Sequence, residues 1–335
     1  MPSVSVIMPV YNAARFLREG VESILNQTFT DFEFLIFDDG STDESLSILQ
    51  SFDDPRIKLT ISAENRGYVH WLNEGIAMAK GRYVARMDAD DVSAKTRLEK
   101  QVQFLEKNPD YVLCGTNYEM FPEGGVSSLP ETDESIKIGL LSITPFCHPS
   151  VMFRREILEE NGLAYSVQHM PAEDKELWGR LAPFGKYANL KEVLLRYRVH
   201  DQNMSYKPRT PEQQKIIDQA TVDYTKWFFS NHDLSAIDLE KLVTLFNQRS
   251  PFTLGQLQET APVVMVIAKS SAAFPVGRQV ALDAVLQRYF YCCTISSGIG
   301  LPAFVLGRKV SGDVVSFALQ VRLFVKCLFR FQKKI

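Results

Sequence analysis

Three carboxylates stand within four residues in the stretch RMDADD (86–91), at Asp88, Asp90 and Asp91. Like charges this close repel one another unless a positive charge answers them. Alternate residues of an extended segment point the same way, so Asp88 and Asp90 can face one cleft. Two hard oxygen ligands with open coordination positions suit Mg²⁺ or Mn²⁺, which keep waters and bind substrate phosphates at the same time. The cluster therefore predicts a divalent cation carrying a diphosphate. The competing reading makes Asp91 the cap of a helix opening at SAKTRLEKQ and leaves the other two as solvated acids. A second acidic group, AEDKELW, puts Glu173, Asp174 and Glu176 in a first helical turn, where acids also complement the helix dipole.

The elements that must position these groups follow from periodicity. Apolar runs at 4–10, 32–39, 56–62 and 82–88 read as strands, separated by helical patterns at 13–27, 41–52 and 67–81. Ser41 or Thr42 is the expected N-cap of the second helix, and Gly81 the stop of the third. Strands alternating with helices imply an α/β fold, a mostly parallel sheet covered on both faces. Such sheets bind ligands beyond the carboxyl ends of their strands. The polar stretches 9–12, 38–41, 63–67 and 88–91 each fall there, so four loops would meet along one sheet edge. Further on, YVLCGTNYEMF reads as a strand, ESIKIGLLS as a short helix, and HPSVMFRREIL as a strand from His148 passing into a helix. PAEDKELWGRLAPFG reads as a helix ending near Gly185, and VLLRYRVHDQNMS as a closing strand and loop. Beyond Ser205 the pattern is helical. The two prolines of YKPRTP mark a boundary between a domain at 1–205 and a helical region at 206–335.

Of 335 residues, 45% are apolar and 23% charged, enough for a sizeable core and too few charges for global disorder. Five cysteines, odd in number and without metal-ligand spacing, suit a reducing compartment. The N-terminal stretch lacks a basic region followed by a long apolar run, so no signal peptide is read and a cytoplasmic location is expected. From Gly277 onward nine Lys or Arg face two Asp or Glu, a net +7, which leaves −10 on residues 1–276 given the overall −3. An acidic body with a basic, apolar tail argues against nucleic acid as a partner and for an anionic surface.

The order VSVIMPVYN, FDDGSTD, ENRG, MDADD and AED resembles the family 2 glycosyltransferases over about residues 3–205. The resemblance implies a GT-A fold, Rossmann-like, with the region beyond 205 as a helical, amphipathic extension. It implies inverting transfer of a sugar, a hexosyl group, from a nucleoside diphosphate-sugar, by family habit a UDP-sugar, with Mn²⁺ or Mg²⁺ as cofactor. Carried over residue by residue, Pro9 and Tyr11 would border the nucleotide base, and Asp39 or Asp38 would hydrogen-bond the base or ribose. Asn65 and Arg66 would lie near the donor, with Arg66 a phosphate contact. Asp88 would approach the ribose or the metal's waters, and Asp90 would bind the metal. Asp174 would be the base that takes the acceptor hydroxyl's proton, with Glu173 supporting it or touching the acceptor. His200, in YRVH, would ligate the metal or meet the diphosphate; as a lone loop histidine it is equally a plain hydrogen-bonding residue. Trp178, four residues after Asp174, stacks on an acceptor sugar or lies in the core. His148 matches a recurrent family position with no role assigned.

In the tail, Arg322, Lys326, Arg330 and Lys333 or Lys334 form a basic stripe among Phe317, Leu323, Phe324, Leu328, Phe329 and Phe331. That pattern fits a helix lying in an anionic membrane interface, which would make the protein peripheral on the inner face of the cell membrane. The alternative is a helix packed on the body or in a dimer contact. Residues 289–307 are uncharged but rich in Ser, Thr, Gly and Pro, and read as a buried or interfacial hairpin rather than a spanning helix. Tail and family together imply a glycan acceptor linked to polyprenyl diphosphate, as in cell-surface polysaccharide synthesis. Two other readings compete. A sugar-1-phosphate nucleotidyltransferase would need a glycine-rich loop after the first strand, which PVYNAARF lacks. A non-catalytic sugar-nucleotide-binding or scaffolding subunit of a membrane assembly would need no base opposite the metal.

Overall fold

A computed structural model describes residues 1–204, 207–230, 238–247, 251–269 and 274–296, with 303, 305 and 307 singly. The chain forms two compact units, Met1–Ile136 with Thr144–Ile217, and Lys137–Ile143 with Asp218–Ile335.

In the first unit, β1 (Val4–Val10) is buried along nearly its whole length. α1 (Ala14–Leu25) turns Leu17, Gly20, Val21 and Ile24 inward, the three-and-four spacing of a helix with one apolar stripe. β2 (Phe32–Asp38) is buried throughout, as a strand covered on both faces must be. α2 (Ser45–Gln50) starts later than expected. Ser41 and Thr42 do not cap it, because both turn to Asn12: Ser41 Oγ accepts the Asn12 N–H at 3.1 Å, and Asn12 Oδ1 accepts the Thr42 N–H at 2.8 Å. The Asp43 carboxylate takes the Ser45 N–H instead, at 2.9 Å.

β3 (Ile57–Ile61) leads to α3 (Tyr68–Met78), which ends before Gly81. Gly81 serves a close approach rather than a helix stop, since a Cβ there would lie 2.5 Å from the Ser5 nitrogen. β4 (Tyr83–Arg86), β5 (Val92–Ser93), α4 (Arg97–Lys107) and β6 (Tyr111–Phe121) follow, then α5 (Asp133–Gly139), which crosses from one unit into the other. His148 opens a 3₁₀ turn, His148–Ser150, and not a strand; Pro149, at the turn's second position, has no N–H to give a ladder. β7 (Met152–Arg154) runs directly into α6 (Arg155–Glu160). α7 (Glu173–Leu181) is continued by a 3₁₀ turn to Phe184, and β8 (Lys186–Arg198) closes the unit.

The sheet order is β3-β2-β1-β4-β7-β6-β8-β5. β1 to β4 are parallel neighbours in that order, as are β6 and β8. β7 runs against both β4 and β6, and β5 against β8. One reversal at β7 followed by another at β6 restores direction. The carboxyl ends of β1, β2, β3, β4, β6 and β8 therefore share one edge, with the turn that precedes β7.

In the second unit, Tyr224 of α8 (Pro211–Phe228), a helix whose first turns belong to the first unit, donates its hydroxyl to the Lys137 carbonyl at 2.8 Å. Arg288 of α11 (Arg278–Ile295) donates to the carbonyls of Leu245 and Phe246, at 2.8 and 2.9 Å, capping the end of α9 (Leu239–Asn247). Tyr289 reaches Leu257 O of α10 (Leu254–Lys269) at 2.8 Å. Among the described residues no helix is long and apolar enough to cross a membrane. The basic stripe expected from Phe317 onward lies outside the described residues, as does most of 289–307 beyond α11.

Candidate active site

The acidic loop leaves β4 at the shared edge. Asp88, Asp90 and Asp91 each place a carboxylate oxygen within 4.8 Å of the others. Arg86, the last residue of β4, grips Asp88 with both terminal nitrogens at 2.5 Å. A guanidinium fork on a carboxylate is the strong form of this pairing. His200, just past β8, puts Nε2 at 2.8 Å from Asp90 Oδ2. Asp91 does not cap α4, which begins six residues later; its Oδ1 accepts the Arg198 N–H at 2.8 Å, and its buried Oδ2 has no hydrogen-bond partner among the described residues. Burial pushes the Asp88 carboxyl up to about 6, with Arg86 opposing and Asp90 adding, and holds Asp91 well above the carboxylate range.

This donor set fits a hard divalent ion. Crowded carboxylates with raised proton affinity are what a cation would relieve. An octahedral ion with bonds of about 2.1 Å keeps adjacent ligands about 3 Å apart, and Asp90 and His200 already stand at nearly that separation.

The loops after β2 and β3 lie at the same edge. Asp39, just past β2, accepts three hydrogen bonds: Arg66 N–H and Trp71 Nε1–H on Oδ1, both at 2.6 Å, and Gly67 N–H on Oδ2 at 2.9 Å. Asp39 thus ties the loop after β3 to the loop after β2. Its neighbour Asp38 is equally buried, and its Oδ1 has no hydrogen-bond partner among the described residues. Gly40 has φ +70°, and a Cβ on it would lie 2.8 Å from the Glu64 carbonyl carbon, so glycine is what lets the two loops touch. Tyr11 is 50% exposed, and Asn65 and Arg66 also face solvent. Pro9 is half-buried within β1.

The acids of α7 form the third part. Glu173 is buried close to the Tyr68 hydroxyl, and among the described residues its Oε2 has no hydrogen-bond partner. Burial pushes its carboxyl up to about 7, with the Asp174 charge adding. Asp174 is half-buried, also shifted upward by desolvation, and its Oδ1 accepts the Lys175 N–H at 2.6 Å. Two groups that sequence reading left without a role stand beside them. His148 Nε2 meets the Tyr165 hydroxyl at 2.9 Å, and its Nδ1 is 3.9 Å from Glu173 Oε1. Burial and the Arg86 charge hold His148 well below its usual range, so it is neutral. Asn73 of α3 clamps the Tyr165 backbone with two bonds of 2.9 Å.

The Arg86 guanidinium pairs with Asp88 and, at longer range, its charge also acts on Glu173 and Asp174. An arginine inside an otherwise apolar strand was the visible signal for it. Trp178 takes the core position: it is 0% exposed, ringed by Phe146, His148, Phe153 and Tyr165. An acceptor sugar cannot stack on it there.

This geometry has counterparts. Residues 5–162 match the model of glycosyl transferase family 2. An uncharacterized glycosyltransferase of Haemophilus influenzae is 32% identical over 67% of this chain and 74% of its own length. The chain belongs to glycosyl transferase family 2. The putative glycosyltransferase EpsE of Bacillus subtilis is 38% identical to this family 2 enzyme over 62% of the chain and 77% of the relative. The O-antigen biosynthesis glycosyltransferase WbnJ of Escherichia coli is 34% identical over 60% and 81%. Among solved structures, S. aureus TarS in complex with UDP-GlcNAc superposes with a TM-score of 0.60 at 18% identity, covering 97% of this chain and 91% of that one. The fold of this glycosyltransferase is accordingly GT-A, with a helical C-terminal region. The mannosyltransferase PcManGT of Pyrobaculum calidifontis, in complex with GDP-Man and Mn²⁺, gives a TM-score of 0.53 at 18% identity, over 98% and 87%.

Proposed function

We propose that this family 2 glycosyltransferase moves a sugar, with inversion, from a nucleoside diphosphate-sugar to a hydroxyl of a glycan acceptor. The carrying observation is that Arg86, which grips Asp88 of the acidic loop at the carboxyl end of β4, also has Glu173 and Asp174 of α7 within its electrostatic reach. Asp90 and His200 would hold a divalent ion, Mn²⁺ or Mg²⁺, with Asp88 held in place by Arg86. Such an ion supplies positive charge to a departing diphosphate. Asp39, by ordering the loop that carries Asn65 and Arg66, fixes the wall against which the nucleotide lies; Arg66, half-exposed and paired at 3.5 Å with the exposed Glu64, can turn to a phosphate. Asp38, Pro9 and Tyr11 border the base or ribose.

Asp174 is the general base: half-exposed, it can reach an acceptor hydroxyl and take its proton as the oxygen attacks the anomeric carbon. Attack opposite the leaving diphosphate inverts that centre. Glu173, buried behind Asp174, supports it. UDP is the favoured nucleotide, in keeping with the UDP-GlcNAc complex of TarS. A lipid-linked acceptor at the cytoplasmic face of the membrane, in polysaccharide synthesis, is consistent with the relative WbnJ being an O-antigen biosynthesis glycosyltransferase and with the basic tail.

The test is a thermal-shift panel of UDP-, GDP- and dTDP-sugars, with and without Mn²⁺. A ligand at about 100 times its dissociation constant adds about 2.7 kcal/mol of stability. One donor should shift the wild type and Asp174→Asn alike when metal is present, and should not shift Asp90→Ala. Asp174→Asn should then lose transfer by about 10²–10⁴-fold. A panel in which no sugar nucleotide shifts the wild type would sink the proposal.

A further inference from the structure

The end of β8 is fastened to the acidic loop by more contacts than strand pairing requires, and Arg198 makes most of them. Its backbone N–H donates to Asp91 Oδ1 at 2.8 Å, and its Nε donates to the Asp90 carbonyl at 2.7 Å. Its Nη2 pairs with Glu19 of α1. The guanidinium lies 4.4 Å from the ring centre of Phe16 and 4.4 Å from that of Phe121, one residue on α1 and the other at the end of β6. The side chain is 13% exposed, so a charge held between two aromatic faces is largely desolvated, where cation–π attraction counts most.

Phe16 has a second neighbour in this arrangement. Its ring centre is 5.0 Å from that of His200, with the planes tilted by 41°. One phenyl ring therefore carries both the arginine that grips the acidic loop and the histidine that meets Asp90. A turn fixes the rest of the histidine: its N–H donates to Asn203 Oδ1 at 2.6 Å, and its carbonyl accepts the Asn203 N–H at 3.2 Å. On the far side of the loop α1 packs without a spacer. A Cβ at Gly20 would stand 2.8 Å from the Ala89 carbonyl oxygen and 3.2 Å from that of Asp91. Phe16, Glu19 and Gly20 lie three and four residues apart and present one helical face to the loop.

We propose that Arg198 and Phe16 are positioning residues for the cation–diphosphate site, holding His200 and Asp90 at the separation that two ligands of one ion require. The proposal rests on the functional reading above. Neither residue needs to touch the ion. Arg198 orients Asp90 through its backbone and Asp91 through its carboxylate, while Phe16 sets the plane of the His200 ring. A lysine at 198 would keep the charge but lose the planar fork that reaches Asp90, Glu19 and both rings at once. Groups that orient metal ligands typically change affinity by about 10–100-fold when removed.

The experiment titrates the full-length protein with Mn²⁺ in the presence of UDP, reading free Mn²⁺ by electron paramagnetic resonance, with UDP binding in EDTA followed in parallel. The variants are Arg198→Lys, Phe16→Leu and His200→Gln, with His200→Gln also combined with Phe16→Leu. Arg196→Ala serves as the control, because Arg196 stacks on Phe121 at 4.1 Å yet has no bond to the acidic loop. The expected result is a Mn²⁺ dissociation constant about tenfold higher or more in Arg198→Lys and in Phe16→Leu, with Arg196→Ala within about twofold of wild type. Metal-free UDP binding should stay unchanged in all of them, which a general loosening of the fold would not allow. In the His200→Gln background Phe16→Leu should add little, because the two losses share one ligand. Should Arg198→Lys fail to fold, Phe16→Leu and its double variant carry the test. Equal Mn²⁺ affinity in wild type and variants, or a fully additive loss of Phe16→Leu with His200→Gln, would overturn the positioning role alone. A wild type that binds no Mn²⁺ with UDP would overturn the functional reading and this proposal with it.

Discussion

Asp39→Asn is the substitution whose consequence the structure defines most closely. The carboxylate is buried and accepts three hydrogen bonds, two on Oδ1 and one on Oδ2. An asparagine can keep Oδ1 toward Arg66 N–H and Trp71 Nε1–H. Its amide nitrogen must then face the Gly67 N–H at a site where the wild-type separation is 2.9 Å, a donor against a donor. Turning the amide over exposes two donors to the same conflict instead. One charge-assisted bond is lost and one buried donor is orphaned, which together cost about 2–3 kcal/mol. For a unit of about 200 residues that lowers the melting temperature by about 5–10 °C.

Asp39→Ala leaves all three donors unpaired and should melt lower still. Asp38→Asn, at a buried carboxylate whose Oδ1 has no partner to lose, should melt closer to wild type. Differential scanning calorimetry ranks the four proteins, and UDP titration reports whether the Arg66 loop has loosened. Melting of Asp39→Asn within about 2 °C of wild type, or equal to Asp39→Ala, would refute the account of Asp39 as the tie between the loops.

Glu173→Gln probes the buried carboxyl of α7. Its proton affinity in the fold, about 7 against an ordinary 4.5, means the native state holds a proton that the unfolded chain has released between those values. Wild-type stability should therefore fall as pH rises from about 4.5 to about 7, relative to Glu173→Gln, and the gap should level off above that; melting curves across pH 4–9 check it. Gly40→Ala must place a Cβ 2.8 Å from the Glu64 carbonyl carbon at φ +70°, costing at least about 1–2 kcal/mol in urea unfolding and weakening UDP binding. Arg86→Met leaves Asp88 without its bidentate partner and should cost about 3 kcal/mol, the low end for a broken buried pair because Asp88 still meets solvent; adding Asp88→Asn should restore part of it.

Much of this enzyme is legible along the chain. The four strand–loop units before Asp91 could be read because strands covered on both faces show as short apolar runs and the loops between them as short polar ones. The alignment of Asp39, Asp88 and the 63–67 loop on one edge followed, since parallel strands must end together. The α2 cap was missed because Ser41 and Thr42 found a partner in Asn12, thirty residues earlier, rather than in their own helix. His148 was placed in a strand because its apolar followers look like one, while the proline after it sets the turn.

The acidic loop, the α7 acids and the histidine after β8 were each visible as residue types and spacing, and so was the chemistry they suit. Which of them meet was decided by tertiary structure. The β7 reversal returns β6 and β8 to the direction of β1, and that brings His200 to Asp90 across 110 positions. Arg86 could be seen as a charge in an apolar strand, but only packing shows that Asp88 answers it and that the α7 carboxylates feel it. Trp178 could have faced a sugar or the core by helical phase alone; the aromatic residues that converge on it from β7 and the neighbouring turns settled that. Local pattern sets what each segment can be, because backbone propensity and side-chain period act over a few residues. Partnership across the sheet is a long-range property, set by which strands pair and in which direction.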